Sequence, residues 1–93
     1  MAKGPSIGYK ITATVTDVKR HCGMGHAVGD SFELSCFDTA GMCGFFYHDM
    51  FPDLQTLQFG GKMPWWGQDE LEVRCPDPKN QVTMILKRSS WDE

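Results

Sequence analysis

Between Tyr9 and Thr16 the chain alternates strictly. Tyr9, Ile11, Ala13 and Val15 are separated by Lys10, Thr12, Thr14 and Thr16. Side chains of a strand point to opposite faces in turn, so this period of two, rich in β-branched residues, predicts a half-buried strand. Its apolar face needs a second layer to cover it. The alternation slips at Asp17-Val18, which predicts a bulge or the strand end. A Gly-rich stretch follows over 20–30, with the turn signal Val28-Gly29-Asp30. Alternation resumes from Ser31 to Cys36, with Phe32, Leu34 and Cys36 on one face. The two strands are expected to form an antiparallel pair.

A second pair closes the chain. Leu71, Val73 and Cys75 alternate with Glu70, Glu72 and Arg74, and Val82, Met84 and Leu86 mark a fourth strand over Gln81 to Lys87. Pro76-Asp77-Pro78-Lys79-Asn80 between them reads as a turn, because the prolines fix φ and remove donors. In the middle, Asp38 or Thr39 is placed to cap a helix whose first turn holds Gly41, Met42 and Cys43. Met42, Phe45, Phe46 and Met50 keep helical spacing. Pro52 interrupts and fits the first turn of a short second helix, Asp53 to Gln58, ended by Gly60-Gly61. Leu54 and Leu57 would face the core. Residues 59–67 read as an ordered loop. The expected fold is a single small α+β domain over 1–93. It has two antiparallel β-hairpins around a central helix and a short second helix, with tails at 1–6 and 89–93.

Composition narrows the function classes. The chain has 93 residues, of which 41% are hydrophobic and 12% aromatic, as a folded domain requires. A domain of this size buries roughly 60–65% of its unfolded surface, so a metal or a partner subunit would add materially to its stability. The net charge is −3 and the basic residues are scattered, so no basic stripe exists to neutralise a phosphate backbone, and nucleic-acid binding is not expected. No apolar run is long enough to span a bilayer. The first six residues lack the hydrophobic core of a signal peptide. A cytoplasmic protein with reduced thiols is therefore expected, and the irregular spacing of the four cysteines argues against a disulfide framework.

The chemistry concentrates in His21-Cys22-Gly23-Met24-Gly25-His26, one thiol and two imidazoles within six positions. Thiolate and imidazole bind soft and borderline metals, and together they also make a reactive sulfur. Cys22 and His26 are close enough in sequence to reach one ion, and the glycines let the backbone turn tightly. Cys43, near the expected helix N-terminus, and Cys75, at a strand end before a proline turn, could complete a site of three thiolates and one imidazole for Zn or Fe. The alternative for Cys43 and Cys75 is core packing, since free Cys behaves as a small hydrophobe. Cys36 continues the Phe32-Leu34 face and reads as core. His48 reads as an exposed helix residue. Trp65 and Trp66 cannot both point the same way in an extended segment, so one can close the core while the other lines a pocket or an interface.

Taken together, His21-Cys22, Gly25-His26, Val28-Gly29-Asp30 with Phe32, Gly41-Met42-Cys43, Phe59-Gly60-Gly61 with Pro64-Trp65, and Cys75-Pro76-Asp77-Pro78 with Asn80 resemble a family of small prokaryotic proteins of unknown function, over nearly the whole chain. The resemblance implies a shared thiol/imidazole site at Cys22, His26, Cys43 and Cys75 and leaves Cys36 outside it. It implies no substrate. Trp66 departs from the pattern, where an acidic residue is more usual.

Three functions stay open at this stage. The first is a metal-binding protein with Cys22, His26, Cys43 and Cys75 as ligands, structural or redox, possible as a subunit of a larger enzyme. The second is a thiol-based redox or nucleophilic enzyme using Cys22 with His21 or His26 as its base. The third is a non-catalytic module that binds a protein partner, or a second copy of itself, through the Trp65-Trp66 loop.

Overall fold

The structure is a computed structural model that describes residues 7–20 and 25–91. It contains strands β1 (Lys10–Val18) and β2 (Ser31–Leu34), helix α1 (Gly44–Gln58), and strands β3 (Glu70–Arg74) and β4 (Val82–Ser89). The strands form one antiparallel sheet in the order β2-β1-β4-β3. The class is α+β, as the patterning predicts. The finer expectation of two hairpins around a helix is corrected. Both strand pairs exist, but β1 and β4 join them through eight partnered positions, from Lys10↔Ser89 to Val18↔Val82, and the helix covers one face of the continuous sheet. The reason is burial. Ile11, Ala13, Val15, Met84 and Leu86 are nearly inaccessible, which two separate hairpins could not achieve.

The slip at Asp17-Val18 is a bulge. The β1–β4 register shifts between Val15 and Asp17, so that Val18 returns to the core side and packs against it. Strand β4 runs on to Ser89, and the Trp91 indole N–H donates to the Gly8 carbonyl (2.9 Å). The chain is thus tied to the N-terminal segment through residue 91.

Only one helix forms among the described residues. Its start is later than Asp38 or Thr39 because Ala40 and Gly41 both have positive φ (54° and 74°), which a helix cannot accommodate. The Asp38 carboxylate accepts instead from the Ala40 amide (2.8 Å) in a tight turn. Cys43 takes the N-cap position. The expected second helix is the continuation of the first, straight through Pro52. Pro52 sacrifices one hydrogen bond to the His48 carbonyl, but its ring lies on the exposed side. The apolar stripe Phe46, Met50, Leu54 and Leu57 crosses the proline unbroken and stays buried, and its burial outweighs the lost bond. Phe45, one position off this stripe, is exposed and not core as its spacing had suggested.

Candidate functional site

The direction of the helix decides which candidates share a neighbourhood. Asp49 and Asp53 line a groove with Glu72, Val73 and Arg74, and Asp53 also lies beside Glu70 and Leu71. Position 53 therefore faces the start of β3 and position 49 its end, so α1 runs antiparallel to β3. Gln58 and the helix C-terminus meet Ile7, Tyr9 and Arg88 at one end of the sheet. The N-cap Cys43 opens the helix at the end away from Gln58, and one turn further on the Tyr47 hydroxyl donates to the Ser35 carbonyl just past β2 (2.7 Å). Cys75 follows β3 at the end of the sheet where β1 leaves for its connection to β2. Lys19 donates its amide to the Gln81 carbonyl (3.1 Å) there.

His26 stands in that connection, just before a turn that docks on β1. Gly29 donates to the Val15 carbonyl, Val15 to the Asp30 carbonyl, and the Asp30 carboxylate accepts from Ala27 N–H. The His26 ring stacks on Phe32 (centroids 6.1 Å apart, planes at 22°), whose side chain packs against the core. His26 Nε2 is buried and has no hydrogen-bond partner among the described residues. A buried polar nitrogen normally finds a partner, because leaving it dry costs about 1–3 kcal/mol.

Cys75 is held with unusual care. Its amide donates to the Val82 carbonyl (2.8 Å) and its carbonyl accepts from the Gln81 side chain (3.1 Å). The Asp77 amide points back at Cys75 Sγ (3.5 Å). Asp77 in turn accepts from the amides of Lys79 and Asn80 and from the Asn80 side chain. These contacts, chiefly the Lys79 amide, hold the Asp77 carboxyl below its ordinary pKa, against a smaller opposing effect of desolvation. An amide aimed at sulfur is the arrangement that stabilises negative charge on a thiolate ligand. Cys43 is half-buried and packs against the same core as Cys75, with no acidic residue in the first helical turn.

Cys22 and His21 lie outside the described residues. Among the described residues no three His, Cys, Asp or Glu side chains are grouped closely enough to hold a metal ion; His26 stacks on a residue of β2 and Cys75 follows β3, the two opposite edges of the sheet. All three described cysteines carry free thiols. Cys36 follows β2, packs against the core, and has its thiol pKa raised by burial. His48 is exposed.

The two tryptophans divide. Trp66 is half-buried against the core, and Trp65 is 78% exposed. Both border a depression that also contains Asp53, Glu70 and Glu72. These carboxylates were not singled out from the sequence. The signal available there was Asp49 and Asp53 at one helical turn's spacing, together with Glu70 and Glu72 on one strand face.

No helix among the described residues is long and apolar enough to cross a membrane. No protein-family model, curated protein or solved structure matches the chain.

Proposed function

We propose that this is a small metal-binding protein in which Cys22, His26, Cys43 and Cys75 ligate Zn or Fe. The observation that carries the reading is His26 Nε2, a buried ligand atom without a hydrogen-bond partner among the described residues, on a ring stacked on Phe32. An imidazole nitrogen in such a setting is suited to ligate a metal ion. The amide aimed at Cys75 Sγ supports it. Closing the site requires Cys22, four residues before His26 in sequence, and would tie the β1–β2 connection to the helix N-terminus and the β3–β4 turn. Reduced thiols of this kind belong to a reducing compartment, so the reading carries a cytoplasmic location with it.

Elemental analysis of anaerobically purified protein, with a thiol count in denaturant, tests this reading. The expected result is one metal ion per chain, lost in Cys22→Ala and in His26→Ala. No metal together with four free thiols would overturn it. A Cys22 alkylation rate far above that of a free thiol would then favour the thiol-enzyme alternative.

A second reading has its own support in Trp65. A tryptophan 78% exposed beside a groove offers a partner a large, rigid apolar anchor, the residue type that most often carries binding energy at an interface. An interaction module is compatible with a metal site, which would then stiffen the scaffold.

A further inference from the structure

We propose that the outer edge of β3 takes up an extended, basic segment of a partner protein as a fifth strand. This rests on the second reading above and names its partner by chemistry. Strand β3 is the sheet's edge. Cys75 bonds its register partner Val82 through its amide, so by alternation Val73 and Leu71 turn their backbone groups toward β4, while Glu72 and Arg74 turn theirs outward. That rim can receive a strand by main-chain hydrogen bonding.

The charges beside the rim specify what the strand carries. Leu71 and Val73 face the core under the helix, so Glu70 and Glu72 lie on the opposite face of the sheet. Asp49 and Asp53 flank the same edge from the helix side. An added strand points successive side chains to alternate faces; on the helix side they meet Asp49 and Asp53, and on the other side Glu70 and Glu72, which stand beside Lys87 and Arg74. Arg74, the cation bordering the groove, pairs with Glu72 (2.8 Å), and the two charges offset each other. The uncompensated charge lies on the helix side, at Asp49 and Asp53, so the complement is a basic segment with lysines or arginines that fall on that side. Trp65 adds an exposed indole face on which a guanidinium can stack. A second copy of this chain is a poorer occupant, because it would set a second group of the same carboxylates against the first.

The test is a tryptophan-emission titration of the full chain with acetyl-Lys-Arg-Val-Lys-Arg-Val-amide. Controls are the acidic counterpart, with Glu and Asp at the charged positions, and a basic peptide with proline replacing valine. The basic peptide is expected to produce a saturating change, absent in Trp65→Phe and weakened by added salt. Its Kd should rise by at least about tenfold in the Asp53→Asn/Glu72→Gln double variant and with the proline peptide, which lacks amide donors at those positions. Both substituted residues are exposed, and far-UV circular dichroism checks that the variant is folded. Equal affinity in the double variant or for the proline peptide would overturn the basic fifth strand. Saturation by the acidic peptide alone, or self-association abolished by Trp65→Ala, would overturn it while leaving the interaction reading intact. No response to any peptide and no self-association would overturn both.

Discussion

Gln58 is fully buried at the end of α1, and its amide is shared between two distant segments. Its carbonyl oxygen accepts from the Cys36 amide (2.8 Å) and its nitrogen donates to the Ile7 carbonyl (3.0 Å). Gln58→Leu keeps the volume and leaves both backbone groups without partners, so a loss of about 2–4 kcal/mol is expected in urea unfolding. Asp77 gives a prediction in pH. Its folded pKa lies below the ordinary value of 3.8, so the unfolded state binds more protons between the two values. The stability contributed by the ionised carboxylate is present above that ordinary value and is lost as pH falls through the lower, folded one. An acid-unfolding series should show this loss in the native chain and not in Asp77→Ala. At this scale the sequence was partly legible. Asp77 was recognisable as turn chemistry from its flanking prolines. Gln58 was not, because a polar residue in a helix is ordinarily solvated and only its distant partners make it structural.

At the scale of elements, the helix is where local rules and packing conflict. Pro52 inside an otherwise continuous helix predicted two helices, and one formed. Since its ring lies outward and a carbonyl loses its donor, Pro52→Ala should restore the missing bond. A gain of about 1–2 kcal/mol is expected, less than the full proline penalty because the helix has already relaxed around the ring. An increased urea midpoint with unchanged slope would confirm a stability effect alone. The strands were legible within a residue or two because their apolar alternation matches the pleat. The bulge was legible because one extra residue must invert the pattern. The helix start was not, since the left-handed residues Ala40 and Gly41 leave no periodic trace.

At the scale of the whole molecule, Arg88 joins three elements. It donates to the carbonyls of Leu57 (3.1 Å) and Gly61 (2.6 Å) beyond the helix, pairs with Asp69 (3.0 Å), and lies over the Tyr9 ring. Its side chain is only 9% exposed. Arg88→Met retains the apolar stem and abandons those acceptors, so a destabilisation of about 2–4 kcal/mol is expected by thermal or urea unfolding. The sequence by itself determined the strand faces, the helical stripe and the α+β class, because each follows from the spacing of apolar residues within a short window. Tertiary structure decided the central β1–β4 pairing between the first and last of the described strands and the fusion of two helical segments over one face. It also decided the setting of Asp49, Asp53, Glu70 and Glu72 around the β3 edge. These depend on free energies summed over contacts far apart in the chain, chiefly the apolar area that one continuous sheet and one helix bury together, and no local pattern records that sum.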